Sequence, residues 1–95
     1  MKIYKYKLEI TDEQVIPFPV DQIAIPLSVA EQRGELVLWA FVSTHSDMIS
    51  SNELYVRIIG TGNPITDEIN LNTFVGTVVM SNGLVWHVFS EYRCR

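Results

Sequence analysis

Apolar and polar residues alternate along most of this chain, a pattern typical of half-buried β-strands. The first such run, Lys2 to Ile10, places Tyr4, Tyr6 and Leu8 on one face and lysines on the other. Further strands are predicted over residues 22–31, 36–42, 54–60, 73–80 and 84–90. No run keeps apolar residues at helical spacing for three turns. The sequence therefore predicts an all-β fold, an antiparallel sandwich or flattened barrel of six to seven strands.

Proline and glycine positions refine this prediction. Residues 14–19 contain two prolines and are predicted to lie at a sheet edge or outside the sheet, and Pro26 within 22–31 predicts an edge strand or a bulge. Gly34 favours a hairpin turn, and Asn82-Gly83 predicts a two-residue type I′ turn in a C-terminal β-hairpin. Strict alternation over 22–31 predicts one shared face for Ile23, Ile25, Leu27 and Val29.

The segment Leu36 to Val42 is apolar on both faces, which predicts a central strand or an interface strand. The Ser-rich stretch 43–52 that follows is predicted to be a loop. The chain of 95 residues is interpreted as one domain, residues 1–95, and 47% of it is hydrophobic. Small domains often gain stability by oligomerising, so we expect a homodimer or higher homo-oligomer.

The charge balance limits the classes of partner that we expect for this protein. The formal net charge is −4, and only seven residues are Lys or Arg, so no duplex nucleic acid is expected as a partner. No signal peptide or apolar membrane span is seen, and a cytoplasmic protein without membrane contact is expected. His45 and Asp47 lack a third ligand at metal spacing, and no metal or cofactor is expected.

The segment Gly60-Thr61-Gly62-Asn63-Pro64 is the main candidate for ligand contact. It is neither a Walker A motif nor a dinucleotide-binding fingerprint, since no Gly-Lys-Ser/Thr and no third glycine follow. Its backbone N–H groups could form an anion-binding nest. The alternative is a tight turn that requires positive φ at both glycines.

Four side chains complete the candidate binding site. Arg57, in the middle of a strand, is expected to pair with a carboxylate or to bind phosphate bidentately. Trp39 and Trp86 could stack on a base or pack in a core or an interface. His87 faces away from Trp86, as a hydrogen-bonded histidine or a ligand contact. Asp67, next to Glu68, is interpreted as solvated. No constellation supports catalysis, so a protein that is not an enzyme is expected.

The strings YKYKLEITDEQ, LVLWAFV, IIGTGNPI and FVGTVVM…GLVWHVF resemble a family of small phage and prophage proteins over nearly the whole chain. The chain departs from that pattern at Asn63, where histidine is more usual. The resemblance implies a phage-encoded anti-defence protein, in the cytoplasm of an infected host cell. Its expected function is to bind and sequester a nucleotide-derived immune signal, such as an ADP-ribose derivative or a cyclic nucleotide. The alternative is a protein-binding inhibitor or accessory protein that acts on a host defence or replication protein.

Overall fold

The structure, a computed structural model, describes residues 1–19, 21–44, 52–65 and 67–94. Its elements are β1 (Lys2–Leu8), β2 (Glu13–Phe18), β3 (Gln22–Gln32), β4 (Glu35–Thr44), β5 (Asn52–Gly60), a 3₁₀ turn at Leu71–Thr73, β6 (Phe74–Val79) and β7 (Val85–Cys94). The predicted all-β fold is confirmed. Strand β4 runs to Thr44 and β5 begins at Asn52, so both ends of the predicted Ser-rich loop belong to strands. Residues 45–51, with His45 and Asp47, lie outside the described residues.

The strands form two antiparallel sheets, which pack face to face as an open sandwich rather than a closed barrel. The three-stranded sheet has the order β1-β4-β3, and the four-stranded sheet has the order β2-β5-β7-β6. One core cluster draws residues from both sheets: Leu8, Phe18, Ala24, Leu36, Leu38, Ala40, Val42, Leu54, Val56, Ile58, Val78, Met80 and Val88. Each sheet therefore has an inner face that builds the core and an outer face that points away from it.

The proline-containing strands lie where the sequence places them. Strands β2 and β3 are edge strands, and the pairing of β3 with β4 shifts between Pro26 and Ser28. The predicted common face of β3 is wrong, however, because this bulge changes the alternation. Ala24 is buried before it and Val29 packs on the core after it, while Ile25 and Leu27 are exposed.

The two hairpin turns differ. Between β3 and β4, Arg33 and Gly34 both have positive φ, 54° and 83°, as a two-residue type I′ turn requires. Between β6 and β7 the predicted two-residue turn is wrong. The Gly83 N–H donates to the Met80 carbonyl at 2.9 Å, and the Met80 N–H donates to the Leu84 carbonyl at 2.8 Å. This is a three-residue loop in which Gly83 alone has positive φ.

A tertiary contact explains the wider turn. The Glu31 carboxylate on β3 accepts hydrogen bonds from the backbone N–H of Ser81, at 2.6 Å, and from its hydroxyl, at 3.1 Å. The Asn82 side chain accepts from the Leu84 N–H at 3.0 Å. The loop is thus tied to the neighbouring sheet by its first residue. The C-terminal hairpin itself is confirmed, with β6 and β7 antiparallel.

Strand β4 is the central strand of the three-stranded sheet, as its apolar faces predict. Leu38, Ala40 and Val42 belong to the core cluster. Trp39 and Phe41, the alternate residues, lie on the outer face and are half-buried. The outer face of this sheet therefore carries large apolar side chains along its middle strand.

Candidate functional site

Arg57 is held by its strand on the outer face of the four-stranded sheet. Its neighbours Val56 and Ile58 point into the core, so alternation sends the guanidinium outward. There its Nη1 and Nη2 atoms donate to the two carboxylate oxygens of Asp67, at 3.2 and 3.0 Å. Of the two alternatives for this arginine, the structure shows the carboxylate partner in a bidentate pair. Asp67 is thus not merely solvated.

The pair joins a rigid strand to an exposed connection. The Arg57 side chain is 15% exposed and the Asp67 side chain 56%. Among the described residues the Nε atom of this arginine is buried without a hydrogen-bond partner. The guanidinium has five N–H donors, and the Asp67 carboxylate engages two of them, one on each Nη atom. An acceptor group placed beside Nε would satisfy it.

A cavity of about 500 Å³ opens on one side of this pair. Of the candidate residues it brings together Arg57, Gly60, Asn63 and Trp86. Its other walls are formed by residues 10–13, Ile58, Ile59, Pro64, Ile65 and Asp67. A hydrogen bond from the Ile58 N–H to the Asp12 carbonyl, at 3.3 Å, ties the connection between β1 and β2 to this wall.

The lining is more acidic than the sequence suggests. Asp12, Glu13 and Asp67 contribute carboxyl groups, and Arg57 contributes the only cationic group among the lining residues. Sequence reasoning did not single out Asp12 or Glu13, because the register that sets Glu13 opposite Arg57 follows from strand order. An anion alone is repelled by such a wall, whereas hydroxyl groups that donate to carboxylates fit it.

A smaller cavity of about 150 Å³ lies on the other side of the pair. Arg57 and Asp67 line both cavities, so the ion pair separates them. In this smaller cavity the Arg93 guanidinium lies 3.8 Å from the centre of the Tyr55 ring and also pairs with Glu91. Burial, and then a hydrogen bond to the Glu13 carboxylate, raises the pKa of the Tyr55 phenol.

The glycine segment forms a turn and offers little of the predicted nest. The Asn63 N–H donates to the Gly60 carbonyl at 3.1 Å, and the Thr61 N–H donates to the Val85 carbonyl at 3.3 Å. Two donors of the proposed nest are therefore used within the fold. Gly62 has the predicted positive φ, 85°, but Gly60 does not.

Gly60 is required by packing instead. A Cβ atom at this position would lie 2.7 Å from the Asn63 side-chain nitrogen and 3.1 Å from Cζ3 of Trp86. The expectation that both glycines need positive φ is thus wrong for Gly60. Its lack of a side chain lets Trp86 and the Asn63 amide close around the end of β5.

His87 and Trp86 lie on opposite sides of the sheet, as alternation predicts. Trp86 packs against the core cluster. The imidazole bridges two hydroxyl groups, with Nε2 2.7 Å from Oγ1 of Thr61 and Nδ1 2.9 Å from Oγ1 of Thr77. His87 and Thr61 thus stand beside the larger cavity rather than in its lining, and fix the turn that borders it.

Trp39 is separated from the other candidates. It lies on the outer face of the three-stranded sheet, while Arg57 lies on the outer face of the four-stranded sheet. The core runs between these two faces, so Trp39 cannot contact a ligand that Arg57 holds. The two tryptophans, equivalent in the sequence interpretation, thus have different environments.

The part of the chain that the structure describes contains no group of three or more His, Cys, Asp or Glu side chains arranged to hold a metal ion. None of its helices has the length and apolar character needed to cross a membrane.

Comparison with known protein families identifies one whose model matches the chain. The model of a family described as "Domain of unknown function (DUF7352)" matches residues 1–94. No curated protein and no solved structure is similar enough to the chain to match it. The match extends from the first strand to the last, through both sheets and the candidate site. The chain therefore belongs to the DUF7352 family.

Proposed function

We propose that this protein binds a small nucleotide-derived ligand in the cavity beside Arg57 and sequesters it without catalysis. The observation that carries the proposal is the shared lining: Arg57, Gly60, Asn63 and Trp86 border one space of about 500 Å³. Cavities for small molecules and cofactors range from about 300 to about 1,000 Å³. One nucleotide fits within this range.

The lining offers a partner for each part of a nucleotide. Trp86 provides apolar surface for a base. The carboxylates of Asp12 and Glu13 accept hydrogen bonds from ribose hydroxyl groups, as acidic residues do in dinucleotide-binding folds. Arg57 binds the phosphate, because a planar guanidinium matches two phosphate oxygens. A nucleotide thus supplies both the hydroxyl groups and the anion that the mixed lining accommodates.

Binding of phosphate requires Asp67 to leave the guanidinium. Asp67 is the more mobile partner in this exchange, since its side chain is 56% exposed while that of Arg57 is 15% exposed. The two Nη atoms that now bind the Asp67 carboxylate are the donors that the phosphate would take over. Ligand binding is thus a competition between two anions for one guanidinium. If the Asp67 carboxylate competes only weakly for the Arg57 guanidinium, the ligand phosphate binds tightly.

The groups that contact the base and the phosphate in this proposal suit binding, and no catalytic step is assigned to the lining carboxylates of Asp12, Glu13 and Asp67. Guanidinium, amide and indole groups donate hydrogen bonds or stack on a base, and at neutral pH they do not exchange protons with a substrate. The resemblance to small phage and prophage proteins supplies the biological context. In that context the bound ligand is a host immune signal, and sequestration within the infected cell is the anti-defence activity.

Calorimetry on the full chain tests this proposal with ADP-ribose derivatives, cyclic dinucleotides and mononucleotides. We expect at least one to bind, and Arg57→Ala to weaken it by about tenfold or more, which is about 1.4 kcal/mol. Asp67→Asn should strengthen binding, because it removes the competing charge and keeps the side-chain shape. Lys7→Ala is the matched control, since it removes a positive charge from the other sheet.

Chromatography of the ligand after incubation completes the test. Intact ligand, recovered after the protein is denatured, supports sequestration. A product that accumulates with time would show an enzyme. The proposal is wrong if none of these ligands binds, or if Arg57→Ala leaves the affinity for the bound ligand unchanged.

A further inference from the structure

The outer face of the three-stranded sheet carries a patch of apolar side chains. Ile3 and Ile25 flank Phe41 in one cross-strand row, and are 61% and 52% exposed. Trp39 and Ile23 extend this row along the sheet. We call these five residues, Ile3, Ile23, Ile25, Trp39 and Phe41, the apolar patch. Large apolar side chains at this exposure are a liability for an isolated domain.

The other half of the same face is polar and satisfied. The Lys5 ammonium donates to the Gln32 side chain at 2.6 Å, and Lys7 pairs with Glu35 at 3.3 Å. These side chains surround Val37, which is only 2% exposed. Lys7 thus pairs with a carboxylate and Lys5 with an amide oxygen, Arg33 lines the same hollow, and the five residues of the apolar patch carry no charge.

The described part of the chain leaves the apolar patch open to solvent. The four-stranded sheet is partly covered, since Phe89 on its outer face is 9% exposed while Phe74 and Val79 on the same face are 49% and 69% exposed. There the connection between β5 and β6 crosses the sheet, and its Asp67 binds Arg57. The described connections of the three-stranded sheet are too short to do the same, since β3 and β4 are joined through Arg33 and Gly34 alone.

We propose that the apolar patch is the interface of a homodimer, so that a second copy of the chain covers it. An uncharged apolar surface is complementary to itself, and a two-fold axis brings the same surface of two copies together. The chain has a net charge of −4, so copies repel each other except through uncharged surface. Apolar surface surrounded by polar groups is also the layout of stable interfaces.

The size of the face predicts a dimer of modest affinity. Three strands about 4.8 Å apart, with a rise of about 3.4 Å per residue, give a ten-residue sheet face of roughly 490 Å². Two copies that pack the whole face, with its polar half as part of the rim, bury on the order of 1,000 Å², the lower limit for a biological interface, and the apolar patch contributes about half of that area. We therefore expect a dissociation constant in the micromolar range. The inference is independent of the proposed ligand, because no residue of the apolar patch lines the cavity beside Arg57.

Sedimentation equilibrium of the full chain over a micromolar concentration series tests the dimer. Ile25→Lys places a charge in the patch at a side chain that is already 52% exposed, so the monomer keeps its core. We expect this variant to raise the dissociation constant at least tenfold, and Ile3→Lys to do the same. Val79→Lys is the matched control, since Val79 is 69% exposed on the other sheet.

Three outcomes would overturn the inference. The first is a wild-type chain that stays monomeric throughout the series. The second is a dimer that withstands both lysine variants, which would place the interface elsewhere. The third is a monomeric chain that binds a host protein through the patch, which would support the alternative function as an inhibitor. Unchanged circular dichroism in the lysine variants shows that any loss of dimer is not a loss of fold.

Discussion

The outer faces of the two sheets differ in how their large apolar side chains are shielded from solvent. On the four-stranded sheet, Phe89 lies beneath neighbouring chain and is 9% exposed. On the three-stranded sheet, Ile3 and Ile25 remain 61% and 52% exposed. On the first face a connection of the same chain covers Phe89, while Phe74 and Val79 stay 49% and 69% exposed. In our proposals the first face borders the ligand cavity and a second copy of the chain covers the second face.

Connection length is the physical origin of this contrast. Residues 61–73 join β5 to β6, and this length allows them to cross the sheet before β6 begins. An irregular connection packs less evenly than a strand, and leaves cavities of about 500 and about 150 Å³ on either side of the Arg57–Asp67 pair. A sheet face packed on its own copy leaves no such space. The loop-covered face is therefore the ligand-binding candidate.

The largest expected effect compares a phenylalanine from each face. Phe89→Ala should destabilise the fold by about 3–5 kcal/mol, because it removes a buried ring whose centre lies 5.4 Å from the centre of the Phe74 ring. At low protein concentration, Phe41→Ala should lower the free energy of unfolding by less, since Phe41 is half-buried. Chemical denaturation at low and high protein concentration measures both. The stability of a dimeric wild type should rise with protein concentration, and only the Phe41 variant should lose this dependence. Equal losses at every concentration would remove the contrast between the two faces.

The sequence predicts strands and their edges well, because these depend on local alternation and on proline. Strand β4 is central, as its two apolar faces indicate, and β2 is an edge strand, as its prolines indicate. The prediction is wrong where one residue alters the pattern. The bulge between Pro26 and Ser28 puts Ile25 and Val29 on opposite faces, and Ser81 of the final turn is held by Glu31.

The site is harder to predict, because it depends on contacts between elements. Arg57 and the glycine segment are found by residue type, and the structure places Arg57, Gly60 and Asn63 around one cavity. Asp67 gives no signal of its role, since it lies in an irregular polar connection. The two tryptophans could be separated only by knowing which sheet each strand joins.

Gly60→Ala is the next strongest test of the loop-covered face. The added Cβ would lie 2.7 Å from the Asn63 amide nitrogen and 3.1 Å from the Trp86 ring, and such overpacking costs about 1–3 kcal/mol. Gly62→Ala should cost about 1 kcal/mol for a different reason, its φ of 85°. Thermal denaturation measures both. If Asn63→Ala relieves only the Gly60 variant, packing is the cause there. Failure of that rescue would point to backbone strain at both positions.

A smaller effect should follow from releasing the covering connection. Asp67→Asn removes the carboxylate from Arg57 and should cost about 1 kcal/mol, near the value for exposed ion pairs, because Asp67 is 56% exposed. Faster hydrogen exchange of backbone amides in residues 67–73 would report the opening. Glu35→Gln is the control, since it breaks an ion pair on the other sheet. Unchanged exchange in the Asp67 variant would mean that apolar contacts alone hold the connection.

The smallest expected effect concerns the imidazole that supports the glycine turn. A neutral histidine donates through one ring nitrogen and accepts through the other, so His87 can bond the hydroxyls of Thr61 and Thr77 at the same time. Thr77→Val keeps the side-chain shape and removes one of these hydrogen bonds, which should cost about 0.5–1.5 kcal/mol. If the bridge positions the turn, the same variant should weaken ligand binding at the cavity, although Thr77 is not among its lining residues. Denaturation and calorimetry on one preparation separate the two effects. Lost stability with unchanged ligand affinity would confine His87 to a structural role, and leave the cavity to Arg57 and the end of β5.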